Sequence, residues 1–412
     1  MNEESLIYDW NLEGKAGGSD LPSVELDDET LRDGLQSPSV RDPEIGSKLR
    51  ILHLMNELGI HSADIGLPGA GPRAVADVRR LAREIADQGL AIRPNCAART
   101  MVRDVEPIAE ISQEVGIAIE ACTFIGSSPI RRYAEDWTLD RMLRTSEEAV
   151  TFAVGEGLPV MFVTEDTTRA RPEVLRELYG RAIEWGARRI CLADTVGHAT
   201  PTGVRALVRW IRDEVVAPSG EPVKVDWHGH RDRGLGMANA LAAIEAGVDR
   251  VHATALGIGE RVGNVEMDLL LVNLKLLGVH DTDLASLGEY CEEVSSATGV
   301  KIPPGYPVFG RDAFRTGTGV HAAAIIKAEA KGDAWLADRI YSGVPAGMFG
   351  RRQEIEIGPM AGLSNVRFWL REHGYDESDE ALARRILEHA KRQDHTLTEG
   401  EVVALIEDAG TH

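Results

Sequence analysis

An α/β barrel followed by a smaller, mostly helical region is the architecture this chain predicts, and three features carry that reading. Eight short apolar runs alternate with segments of helical period over about 260 residues, the rhythm of a (β/α)8 TIM barrel. The residues that follow those runs are unusually polar, as expected where a barrel places its chemistry at the C-terminal ends of its strands. From about residue 282 the alternation stops. An open doubly wound sheet is the alternative, and so regular an alternation favours closure over it.

In chain order, strands are expected at Val24–Asp27, Ser62–Leu67, Ala91–Asn95, Ile117–Phe124, Val160–Thr164, Arg189–Ala193, Val223–His228 and Arg250–Ala255. Helical periodicity marks Ile45–Leu58, Ala74–Gln88, Val102–Val115, Leu139–Glu156, Pro172–Trp185, Thr202–Val215 and Gly236–Ala246. Residues 1–22 are Gly-rich and weakly patterned and read as an extension. The barrel is expected over 23–285, a linker and lid over 286–350, and a helical C-terminal region over 351–412. The linker holds the Pro/Gly-rich Lys301–Gly310. The tail is expected to be helical from Asn365, with a break at Gly374-Tyr-Asp and a final amphipathic run at Glu399–Asp408.

Composition narrows the function. The 412 residues carry 45 basic and 66 acidic side chains, a net charge of −21, which repels nucleic acid and anionic membranes. Small anions are still admissible, because a few arginines and a metal ion reverse the potential inside a cleft. No run of eighteen apolar residues occurs and the N-terminal Met1-Asn-Glu-Glu is acidic, so a cytoplasmic location is expected. Cys96, Cys122, Cys191 and Cys291 are widely spaced, which suits reduced core thiols rather than disulfides or a CxxC metal site.

The stretch Val225-Asp-Trp-His-Gly-His230 reads as a buried strand ending in two histidines. Side chains two apart on a strand share a face, so His228 and His230 converge on one space. Taken alone, the pair also fits two packed or surface histidines. With Asp33 and Asn264 from the first and eighth strand ends, however, the set suits a divalent cation such as Zn²⁺ or Mn²⁺, with Mg²⁺ a further choice as the set gains oxygen. Glu165-Asp166 follow the fifth run; for Asp166 the expected role is a helix N-terminal acid. Asp232 shares the parity of the histidines and is expected to orient an imidazole or arginine. Gly257-Ile-Gly-Glu-Arg-Val-Gly263 is no dinucleotide loop, its last glycine falling one residue late for GxGxxG.

Three ordered motifs, Asp28-Glu-Thr-Leu-Arg-Asp-Gly-Leu-Gln36, His228-Gly-His-Arg-Asp-Arg-Gly-Leu235 and Leu256-Gly-Ile-Gly-Glu-Arg-Val-Gly-Asn264, together resemble those of the 2-isopropylmalate synthase and homocitrate synthase family. These are acyl-CoA-condensing metalloenzymes, and the resemblance spans roughly residues 24–360. It implies that Asp33, His228 and His230 hold a divalent metal, with Asn264 in or beside the coordination shell. Arg32 and Glu165 then match the catalytic arginine and glutamate, Thr195 the threonine that contacts a 2-oxo acid, and Gln36 a further substrate contact. His321 and Tyr341 match a histidine and tyrosine that reach the active site of a partner subunit, which implies a homodimer with shared sites. For His321 a helix-capping role is the alternative. The implied reaction is a Claisen condensation of acetyl-CoA with a 2-oxo acid, with Arg32 on the developing alkoxide and His321 or Glu165 as base.

Departures bear on the reaction and on the acceptor. Leu35 replaces a glutamate common in the synthases, and Arg-Asp-Gly-Leu-Gln is reminiscent of 3-hydroxy-3-methylglutaryl-CoA lyase, so C–C cleavage of lyase or aldolase type is the competing reading. The lyase's reactive cysteine in the glycine loop is here replaced by Glu260 and Arg261. Arg231 stands where asparagine or aspartate usually follows the second histidine. Ser127-Ser-Pro-Ile-Arg131 resembles the homocitrate synthase pattern, with Arg131 expected to reach a distal carboxylate. Asn264 and Ser37-Pro38 are reminiscent of the isopropylmalate synthases. No long second α/β domain follows, so feedback through such a domain is not expected. The sequence does not choose between 2-oxoisovalerate, 2-oxoglutarate and a phosphonate-bearing acceptor.

Overall fold

The computed structural model describes residues 6–12 and 21–410. Of the expected 1–22 extension, residues 1–5 and 13–20 lie outside the described residues. The chain divides into two compact units, 1–301 and 302–412.

The first unit is a closed barrel of eight parallel strands in sequential order: β1 (Glu25–Asp28), β2 (Ser62–Asp64), β3 (Arg93–Arg99), β4 (Glu120–Gly126), β5 (Val160–Glu165), β6 (Arg189–Asp194), β7 (Lys224–Gly229) and β8 (Arg250–Ala253). Helices α1 (Ile45–Glu57), α2 (Pro72–Gln88), α3 (Val102–Val115), α4 (Pro129–Ala134), α5 (Leu139–Gly155), α6 (Pro172–Glu184) and α7 (Pro201–Ile211) follow β1 to β6. Gly236–Glu245 and Met267–Leu276 follow β7 and β8. Strand and helix ends fall within a few residues of the periodicity reading. Proline opens α2, α6 and α7 at their first helical positions, where its missing N–H has no intrahelical partner to lose.

Two features depart from expectation. The barrel unit runs to Lys301 rather than ending at 285, because helix Leu287–Thr298 returns to it: the buried Tyr290 hydroxyl bonds Asp28 and lies 3.2 Å from Thr30 Oγ1. The barrel interior, moreover, is charged where aliphatic layers are the norm. Arg250, 2% exposed, donates to Asp226 at 2.6 Å, Glu120 at 2.7 Å and Ser62 at 2.9 Å. Arg189 reaches Asp226 at 2.7 Å and Glu25 at 3.2 Å. Register pairs Asp226 with Arg250 across β7 and β8, so the network is built from inward-facing positions of neighbouring strands.

All four cysteines are free and buried, as the spacing predicts. Among the described residues no helix is long and apolar enough to cross a membrane.

The second unit packs helices Leu363–Glu372, Glu380–Ala390 and Glu399–Gly410 around Ile357, Val366, Leu370, Ile386 and Leu397. The break expected near residue 374 is Gly374, at φ 77°. A two-stranded parallel sheet, Arg315–Thr316 with Glu354–Ile355, flanks helix Gly319–Ala330.

Candidate active site

The polar strand ends converge on a cavity of 330 Å³ in the barrel unit. Asp33 closes the loop after β1, just before a short 3-10 turn, Gly34–Gln36. His228 lies on β7 and His230 one step beyond it. An isolated antiparallel bridge joins His230 to Asn264, and this requires the glycines of the β8 loop. Gly263 holds φ 94°, and a Cβ there would overlap the Gly257 carbonyl. That tight loop sets Asn264 Nδ2 2.8 Å from Asp33 Oδ2.

The imidazole Nε2 atoms of His228 and His230 face each other at 3.3 Å, and each lies 3.7 Å from Asp33 Oδ2. Donors about 2.1 Å from a tetrahedral zinc centre would lie about 3.4 Å apart, so this triangle has the dimensions of a metal site. Two buried atoms beside it, His230 Nδ1 and Asn264 Oδ1, have no hydrogen-bond partner. Burial and the adjacent His228 push His230 down to about 4, leaving a neutral imidazole with a lone pair to give. His228 Nδ1 lies 2.8 Å from Glu29 Oε2, which leaves its Nε2 for the cation. The residues therefore fit a divalent ion held by two nitrogens and a carboxylate. Asn264 meets this set through Asp33, with its amide nitrogen toward the carboxylate.

Arg32 sits beside the triangle and is held by three carboxylates: Asp64 at 2.7 Å, Glu29 at 2.9 Å and Asp33 at 3.5 Å. Burial opposes its charge, but Asp64 and Glu29 outweigh burial and raise it well above the ordinary arginine value. Gln36, Glu165 and Thr195 also line the cavity. Burial pushes the Glu165 carboxyl up, against the pull of Arg131. The Thr195 hydroxyl accepts from the Asp166 backbone N–H at 2.8 Å.

Several expected residues sit elsewhere. Arg131 is not part of the cavity wall. Ser128 caps α4 by accepting from the Arg131 N–H, and the Arg131 guanidinium turns to Glu135 at 2.5 Å and Glu165 at 3.7 Å. Asp166 stands at the N-terminus of the short 3-10 turn Thr167–Arg169, where an acid is expected; it is at φ 59°, and its side chain makes no cap hydrogen bond but pairs with Arg169 through both oxygens at 2.7 Å. Asp232 does orient an arginine, Arg261, which it holds at 2.8 Å while Arg261 also bonds the Thr195 carbonyl. Asp166, Leu256 and Arg261 all hold positive φ at the strand-end rim, where backbone strain is common in functional sites. In the second unit His321 and Tyr341 stack with ring centroids 4.0 Å apart.

Glu29, Asp64 and His252 also line the cavity, and sequence reasoning assigned them no role. Strand parity was the available signal for His252, which faces inward one step beyond Arg250, and for Glu29, one step beyond Asp27. A roomier cavity of 660 Å³ in the second unit, lined by Arg352, Glu354 and Trp369 among others, has no such convergence of metal-ligating atoms among the described residues.

The family model described as HMGL-like matches residues 23–294. The chain belongs to the HMGL-like family. Among curated relatives, it is 33% identical over 404 residues to a putative (R)-citramalate synthase of Methanopyrus kandleri, covering 96% of this chain and 74% of that one. It is 34% identical to a homocitrate synthase of the same organism, over 90% of this chain and 88% of the relative. A probable 2-isopropylmalate synthase of Ignicoccus hospitalis is 33% identical over 90% and 87%. The hydroxymethylglutaryl-CoA lyase structure from Pseudomonas aeruginosa shares the fold, with TM-score 0.55, 21% identity, and 67% and 93% of the two chains covered. The family match and these synthase relatives make this chain an enzyme of the acyl-transferring, condensing class.

Proposed function

We propose that this chain condenses acetyl-CoA with a 2-oxo acid, releasing CoA and a 2-hydroxy-2-carboxy acid. The observation that carries the reading is the Asp33–His228–His230 triangle with Arg32 beside it, in a chain whose relatives are named as synthases of this kind. Asp33, His228 and His230 would hold a divalent ion, which would supply Lewis-acid polarisation of the acceptor carbonyl. Arg32 points a fixed guanidinium at the oxygen that gains charge as the new C–C bond forms. Glu165 and His321 handle protons: one takes a proton from the acetyl methyl, and the alkoxide regains one. Thr195 and Gln36 orient the acid. Water then cleaves the thioester, leaving a carboxylate and the free thiol of CoA.

His321 and Tyr341 belong to the second unit, and the reading has them complete the site of a partner subunit in a homodimer. Light scattering on the purified chain tests this, and a fully active monomer would contradict it. Cleavage of lyase type finds little support, because all four cysteines are buried and burial holds each thiol well above its ordinary range.

Thiol titration with metal, acetyl-CoA and a panel of 2-oxo acids tests the reaction; no CoA release with any acceptor overturns it. His228→Ala is expected to lose the bound metal, measured by elemental analysis, and turnover with it. Retention of both would remove His228 from the site.

A further inference from the structure

The cavity has two unlike halves, and the division follows the barrel register. β1, β7 and β8 with their loops supply the polar half: Arg32, Asp33, His228, His230 and His252. The opposite half comes from β3 to β6 and the loop after β2, where Leu67, Ala97, Phe124, Val163 and Ala193 line the wall, with Glu165 at the end of β5 and Thr195 just after β6 as its polar members. Phe124 pairs in register with Val163, and Val163 with Cys191, so this half is continuous across three strands. Cys122, Met161 and Cys191 form a sulfur-rich cluster against Val163. Burial holds both thiols protonated, so the cluster adds no charge to this surface.

Leu67, Phe124 and Val163 each keep part of their surface open although the strands around them are buried. Apolar surface left open inside a cavity gains most from a ligand that covers it with apolar surface of its own.

Among the described residues, every cation near this half is already matched. Arg131 has Glu135 and Glu165, and its guanidinium lies 5.7 Å from the Trp137 ring centre. Arg261 is held by Asp232 and the Thr195 carbonyl. Arg250 touches Met161 Sδ at 3.4 Å but is saturated by Asp226, Glu120 and Ser62. The guanidinium groups in the cavity wall are those of Arg32 and Arg261, and Arg32 belongs to the polar half. A carboxylate pressed against the Phe124–Val163 wall would therefore lose its water with no free counter-charge to meet it.

We propose that the acceptor is a 2-oxo acid with a short, uncharged alkyl side chain, seated on the Leu67–Phe124–Val163 wall, and that this wall excludes a distal carboxylate. The proposal rests on the condensation reading for its chemistry, but it concerns only how the acceptor is bound.

Calorimetric titration of the full chain loaded with Mn²⁺, in the absence of acetyl-CoA, reads the wall without turnover. Pyruvate, 2-oxobutanoate and 2-oxoisovalerate are compared with 2-oxoglutarate. At least one alkyl acid is expected to bind about 10²-fold more tightly than the dicarboxylate, the order expected from burying a polar group with no partner. Tighter or equal binding of 2-oxoglutarate overturns the proposal, as does no binding by any of the acids. Val163→Phe, which fills the wall, is expected to weaken 2-oxoisovalerate by tenfold or more relative to pyruvate; an unchanged ratio counts against this wall as the side-chain seat. Acetyl-CoA is then added and thiol followed. Alkyl acids that bind selectively without releasing thiol would leave the specificity standing and overturn the condensation instead.

Discussion

Arg32→Met is expected to lower kcat by about 10²–10³-fold and kcat/KM for the 2-oxo acid by the same factor, the signature of an interaction realised only as charge develops. The structure supplies the reason in the three carboxylates around the side chain, which fix the guanidinium before substrate arrives. A preorganised donor has no reorganisation left to do during the reaction, and that is where its effect on rate arises. Arg32→Lys keeps the charge but loses the planar fork that bridges Glu29 and Asp64, so it is expected to recover only part of the loss. Metal content is measured alongside, because Arg32 lies 3.5 Å from Asp33. Full metal with low kcat places the effect on the alkoxide; metal loss in step with kcat places it on the ligand. A variant with wild-type kcat would remove Arg32 from the chemistry.

The barrel was legible because parallel strands buried on both faces leave continuous apolar runs that helical segments punctuate. The convergence of His228 and His230 was legible for an equally local reason, since a two-residue period puts both on one face, and the rings meet at 3.3 Å. Asp33 and Asn264 were not reachable that way. Their approach depends on loop geometry, above all on Gly263 allowing the β8 loop to fold back on itself, so strand-end position and the family resemblance pointed to them but no local period did. The ionic interior was missed although the same parity contains it. Asp226 stands two residues before His228, and Arg250 is its register partner, but flanking Val225, Trp227 and Val251 make those strands read as apolar. Arg131 lies in a strand-end loop by sequence, whereas the Ser128 cap winds it into α4, with its guanidinium toward Glu135 and Glu165. The His321–Tyr341 stack joins residues twenty apart through the packing of the second unit, which no short-range pattern encodes.

Arg250→Met is expected to destabilise the barrel unit by about 3–5 kcal/mol, the usual cost of removing one partner from a buried ionic set. The methionine matches the length of the arginine stem but leaves Glu120 and Asp226 facing each other with only Arg189 and His252 to answer them. Urea unfolding followed by circular dichroism measures the loss, and an unchanged midpoint would show the network to be energetically neutral. The pH limbs give an independent check. Burial raises Asp226, but Arg250 and Arg189 outweigh it and hold the carboxyl well below the unfolded value of 3.8. Its stabilisation is therefore present above pH 3.8 and is lost as pH falls. Without Arg250 that depression shrinks, so the variant is expected to begin acid unfolding at higher pH than the parent. On the alkaline side burial pulls His252 down, but Asp27 and Glu29 overcome it and raise the imidazole from 6.5 to about 10. That contribution is complete below pH 6.5 and fades as pH rises through 10. Arg250 repels an imidazolium two residues along the same strand, so its removal leaves the charge on His252 favoured. The variant should thus lose stability most on the acid limb, an asymmetry that a simple cavity left by the arginine would not produce.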